Sequence, residues 1–99
     1  MRPAKNYHDS LMKALKNPDE AAEYINAAFE ENDMDTLLLA LSDVAEAQGM
    51  SAIPRRAKLN RVSLYKMLAR HGNPHLLSVL NLLHAAGLKL SVGVNKAVA

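Results

Sequence analysis

The 99-residue chain contains no cysteine and no tryptophan, and only one phenylalanine and three tyrosines. Without cysteine there is no disulfide framework and no thiolate metal site, so nothing argues for secretion. With so few aromatics, leucine, alanine, valine and methionine have to fill the core that a 49% apolar composition allows. Long apolar runs are also missing. The longest, "TLLLAL", falls far below the roughly 20 residues that cross a bilayer. The opening "MRPAKNYHDS" lacks the apolar stretch of a signal peptide. One soluble, cytoplasmic domain is expected. The six serines have no nucleophile elbow or triad pattern, and no glycine-rich phosphate loop occurs. His8, His71, His75 and His84 have no metal-ligand spacing and read as surface or cap histidines. No enzyme, no cofactor and no metal is expected.

A further scarcity is local. After Glu46 the sequence has no acid at all. Residues 1–50 carry all ten acids against four basic groups, a balance of −6. Residues 51–99 carry eight basic groups, Arg55, Arg56, Lys58, Arg61, Lys66, Arg70, Lys89 and Lys96, a balance of +8. Such a division suggests a polyanion on one side and a different partner on the other. The plainer alternative is that the halves fold together and neutralise each other.

What is present is helix punctuation. Asn17-Pro18-Asp19-Glu20 reads as cap, first helical residue and acids at the positive end of the helix dipole. The helix after it is predicted to reach Phe29 or Glu31, with Ala21, Ala22, Ile25, Ala28 and Phe29 at helical spacing. A second helix is predicted from near Asp35 to Gly49, with Leu37, Leu38, Leu41, Val44 and Ala45 as its apolar stripe. Ser51 is read as the cap of a short helix that tolerates Pro54 in its first turn. Residues 61–70 form the next helix and stop near Gly72. Asn73-Pro74 opens the last one, roughly 75–86, which Gly87 ends. Residues 1–16 show only a weak helical pattern from Asp9 onward, so a flexible segment is allowed there. The tail "LKLSVGV", residues 88–94, alternates as one half-buried strand would. It needs a partner edge, from the N-terminal segment or from a second copy.

Short helix, three-residue turn, short basic helix is the layout of a helix-turn-helix, whose second helix enters the major groove of DNA. Ile53, Ala57, Leu59, Leu64, Met67 and Leu68 fall where two short helices must be apolar to pack. On a helical wheel the opposite face carries Val62, Tyr65, Lys66 and Ala69, with Arg61 and Ser63 at its N-terminal flank. Arg61 and Lys66 suit guanine O6 and N7, and Val62 suits a thymine methyl. Ser63, with Asn60 and Ser51 as cap residues, suits phosphate at a helix N-terminus. Arg55, Arg56 and Lys58 are placed as sequence-blind phosphate contacts. In the last helix Leu76, Val79, Leu80 and Leu83 are assigned to the core. Leu77 and Leu82, with Leu88, Leu90 and Val92 of the tail, are left for a homodimer interface.

The segment "DTLLLALSDVAEAQGMSAIPRRAKLNRVSLYKMLARHGNPHLLSVLNLLHAAGLKLSV", preceded by "NPDEAAEYINAAFEEND", resembles the Cro/C1-type (XRE) helix-turn-helix. More narrowly, "SLYK" followed by "GNP" and "GLKLSV" resembles the addiction-module antidote proteins, antitoxins related to the HigA group. The resemblance spans roughly residues 16–92. It implies an all-α, five-helix, lambda repressor-like domain with a short C-terminal β-strand. The division is residues 17–32 as N-terminal helix, 35–87 as helix-turn-helix core and 88–94 as strand. It also implies two roles: repression of the chain's own operon through double-stranded DNA, and neutralisation of a basic RelE/HigB-like toxin. Glu20, Glu23, Glu30 and Glu31 are the expected toxin-facing acids. Three positions depart from the family pattern. Ala52 stands where glutamine is common, Lys58 where glycine is common in the turn, and Asn60 where serine often precedes the recognition helix. Two alternatives stay open: a stand-alone phage- or plasmid-type regulator without a toxin, and a helical module whose basic half binds an acidic protein.

Overall fold

The chain has to bury leucine and alanine stripes with almost no aromatic bulk, and it does so with six helices. A computed structural model describes residues 3–98. The helices are α1 (Pro3–Ala14), α2 (Pro18–Glu30), α3 (Met34–Gln48), α4 (Ala52–Ala57), α5 (Arg61–Leu68) and α6 (Leu76–Ala85). Helix α3 is the hub, in contact with α1, α2, α4 and α5, while α4 packs most closely on α6. The largest fully buried side chains are Leu15, Leu38, Leu41, Ile53 and Leu64, which come from four different segments of the chain. Burying each contributes about 1.5–3 kcal/mol. Every described side chain classed as buried is apolar or proline.

Capping explains most boundaries. The Asn17 carboxamide accepts the Asp19 N–H at 2.8 Å, with Pro18 at the first helical position. Asp33 caps α3, accepting the Thr36 N–H at 3.0 Å and its hydroxyl at 2.7 Å. The sequence pattern assigns this helix no cap, so Asp33 is a structural addition. At the end of α6 the Gly87 N–H bonds the His84 carbonyl at 3.0 Å and the Leu88 N–H bonds that of Leu83 at 2.8 Å. Gly87 makes this closure at φ +81°, a region that favours glycine.

Four expectations are corrected. There are six helices among the described residues, not five: Pro3–Ala14 is helical, and Leu11, Met12 and Leu15 pack on the core. His8 meets Glu46 at 2.9 Å and Gln48 donates to the Leu15 carbonyl at 3.4 Å, tying this segment to α3. The expectation for residues 1 and 2 lies outside the described residues. No strand forms at 88–94; the segment has no ladder partner among the described residues, whose other elements are all helices. Ser51 makes no side-chain cap and has αR geometry, so α4 begins without one. Finally, α6 is rotated relative to its predicted face. Val79, Leu82, Leu83 and Ala86 are buried, while Leu76 is 65% exposed. Leu82 therefore belongs to the core and not to a dimer interface. In this leucine-rich helix two overlapping i, i+3, i+4, i+7 stripes are both apolar, and contact with α4 selects between them.

Candidate nucleic-acid interface

Helix α4, a three-residue turn (58–60) and α5 follow in the order of a helix-turn-helix. The turn is closed from both sides. Lys58 adopts the left-handed conformation (φ 58°, ψ 39°), which lets the Leu59 N–H reach back to the Pro54 carbonyl at 2.9 Å. Asn60 then caps α5, its side-chain oxygen accepting the Ser63 N–H at 2.7 Å. Leu64 and Leu68 are buried, Met67 is half-buried, and these three fix which way α5 faces.

The outward face is the one the wheel gives. Asn60, Arg61, Val62, Ser63, Tyr65 and Lys66 are all exposed, Val62 at 63% and Tyr65 at 53%. Ala69 leaves the helix in extended geometry, so it lies beyond α5. Arg55, Arg56, Lys58 and Ser51 are exposed on α4 and its flanks. Among the described residues no carboxylate pairs with Arg55, Lys58, Arg61 or Lys66. Direct ion pairs therefore do not neutralise these four cations. Among the described residues the one cross-half set of ion pairs is at Asp35, which accepts the His71 N–H at 2.7 Å and faces His71 Nδ1 at 3.0 Å and Arg70 Nε at 3.7 Å. Arg56 differs from its neighbours: its guanidinium donates to the Ala85 carbonyl at 3.4 Å, a cation at the negative end of α6.

Beside Lys66 lies an open groove of about 310 Å³ between α5 and the start of α6, walled by Leu59, Ser63, Lys66, Asn73, His75 and Ser78 among others. Asn73, His75 and Ser78 were not read as site residues. The helix start predicted at Asn73-Pro74 is displaced: the N-cap is His75, which makes no side-chain cap bond. No sequence pattern marks these three, because only the loop's path brings them next to Lys66. Of the residues assigned to a dimer interface, Leu77, Leu90 and Val92 are exposed, and Leu88 is half-buried against the core.

Two other acids are fixed by local bonds. Hydrogen bonds from the Thr36 hydroxyl and N–H hold the Asp33 carboxyl below the usual carboxylate range. Burial, reinforced by the 2.6 Å bond that Tyr24 donates to Asp43, pushes the Tyr24 phenol well up. No three His, Asp or Glu side chains converge as a metal-binding set among the described residues. None of these helices is long and apolar enough to cross a membrane.

The chain resembles known proteins over most of its length. A family model described as "Probable addiction module antidote protein" matches residues 6–94. A relative from Haemophilus influenzae, described as "Uncharacterized protein", is 36% identical over 78 residues, covering 79% of this chain and 80% of the relative. No solved structure matches. By the length of the family match and the identity to that relative, the chain belongs to the addiction-module antidote family.

Proposed function

We propose that the protein is the antitoxin of a type II toxin–antitoxin module that also represses its own operon. Family membership supports the antitoxin role. The observation that carries the DNA-binding role is the outward face of α5: Arg61 and Lys66 stand exposed, with no carboxylate partner among the described residues, on a helix whose orientation the buried Leu64 and Leu68 fix. Arg61 and Lys66 read guanine edges, Val62 contacts a thymine methyl, and Tyr65 and Ser63 add polar contacts. Arg55, Lys58 and Ser51 hold phosphates, and Arg56 joins them where its bond to α6 permits. The partner neutralised is a small basic RelE/HigB-like toxin, met by the acidic half.

A repressor of this class reads two half-sites. We infer a homodimer built from the exposed Leu77 on α6 and the tail residues Leu90 and Val92, in which each tail gains the strand partner that a single chain does not supply. Leu88 stays with its own core.

The test is an anisotropy titration against the DNA upstream of the chain's own gene, beside scrambled DNA, at two salt concentrations. Site-selective binding is expected, with affinity falling as salt rises. Arg61→Ala and Lys66→Ala should each lower specific affinity by about 1–3 kcal/mol per half-site and leave scrambled DNA less affected. Equal loss on both DNAs would show phosphate contact only. Weak, unselective binding that vanishes with salt would overturn the repressor role.

A further inference from the structure

The α2–α3 face carries an apolar feature of definite shape. Leu39 on α3 is 61% exposed and Met34, at the start of the same helix, 52%. Leu39 is a shared wall of two open hollows. One, about 510 Å³, lies between α3 and the exit of α5 and includes Asp33, Asp35, Leu68 and Arg70. The other, about 240 Å³, lies between α2 and α3 and includes Tyr24, Ala27 and Glu31. Thr36 borders both. Glu20, Tyr24 and Ala27 of α2 fall on one stripe with its C-cap Glu31, so Glu20 extends the acidic edge by a turn.

Isolated exposed leucines are ordinary. A leucine ridge with a hollow on each side and carboxylates around both is not, because it has a shape and a sign. Arg70 is the only basic residue in either wall, and its guanidinium already faces Asp35. Nucleic acid is repelled from such a surface, whereas a cationic protein is attracted to it.

We propose that the Leu39 ridge and its two hollows are the seat of a basic protein partner, which places apolar side chains on either side of Leu39 and Lys or Arg against Glu20, Glu31 and Asp33. This rests on the toxin-binding part of the proposed function and gives it a location. It sets the energetic centre at an apolar contact, with the acids as steering and rim. Glu23 and Glu30 point off this stripe and are peripheral to it.

The experiment is a calorimetric titration of the full chain with the purified product of the reading frame adjoining its own gene. Wild type, Leu39→Arg, Glu31→Lys and Lys66→Ala are compared, with operator binding measured on the same samples. Leu39→Gln is the second variant should Leu39→Arg fail to fold, as judged by thermal melts. Leu39→Arg should weaken partner binding roughly tenfold or more, and Glu31→Lys less, with operator affinity held within about twofold. Lys66→Ala should do the reverse. Unchanged partner binding by both Leu39→Arg and Glu31→Lys overturns this surface and leaves the antitoxin role standing. If wild type itself does not bind that product, the toxin-binding role falls and this surface falls with it.

Discussion

Lys58 holds the turn of the helix-turn-helix at φ 58°, a conformation that costs a side-chain-bearing residue about 1–2 kcal/mol. Glycine avoids that cost but loses about 0.5–1 kcal/mol in chain entropy. Lys58→Gly should therefore stabilise the protein by about 0.5–1 kcal/mol, seen as a melting temperature a few degrees higher. If Lys58 is a phosphate contact, the same variant should bind all DNA slightly less well and with a shallower salt dependence. Asp33 gives a second prediction at this scale. Its carboxyl lies below the ordinary range because the bonds from Thr36 favour the ionised form. The stability it adds to α3 is therefore present above the unfolded carboxylate pKa, near 4, and is lost as pH falls through the lower folded value. Asp33→Asn should remove that acid-side part of the melting profile while keeping most of the cap.

At the scale of elements, α5 is fixed at both ends by different chemistry. Its start depends on Asn60 and its exit on Asp35, which gathers the His71 N–H, the His71 ring and Arg70. Just beyond that exit Gly72 lies close against the helix end, its N–H donating to the Ala69 carbonyl at 2.8 Å. A Cβ there would lie 2.6 Å from the Met67 carbonyl oxygen and 2.8 Å from that of Ala69, both backbone atoms. Gly72→Ala has to displace the last turn of α5, at a cost of roughly 1–3 kcal/mol. The melting temperature should fall, and operator binding should weaken although no DNA-facing side chain has changed. An unchanged melt would mean that the exit loop adapts freely.

At the scale of the whole molecule, α6 faces two ways and its leucines separate into two classes. Leu82 is 2% exposed and Leu77 67%. Leu82→Ala should cost about 2–5 kcal/mol, as cavity-forming changes do. Leu77→Ala should stay within about 0.5 kcal/mol for the monomer but shift a dimer toward monomer in sedimentation runs. Equal effects on stability would contradict the observed rotation of α6. The charge division is also a whole-molecule property. Acids gather along α2 and α3 and bases around α4 and α5, with Asp35 the one point where they meet in ion pairs among the described residues. The two signs thus remain available on separate surfaces for separate partners.

The sequence by itself determined the outward face of α5 and part of the helical punctuation, but not the starts of α3, α4 and α6. Asn17, Asn60 and Gly87 act through bonds to neighbours a few residues away, and Leu64 and Leu68 lie one turn apart, so local pattern is enough to place them. Tertiary structure decided what local pattern leaves degenerate. It chose the buried stripe of α6 between two equal candidates, completed α1 through contacts with α3, left the tail unpaired and brought Asp35 to His71 across 36 positions. It also raised Leu39 between two hollows. Each of these depends on which distant segment packs alongside, and spacing along the chain carries no record of that.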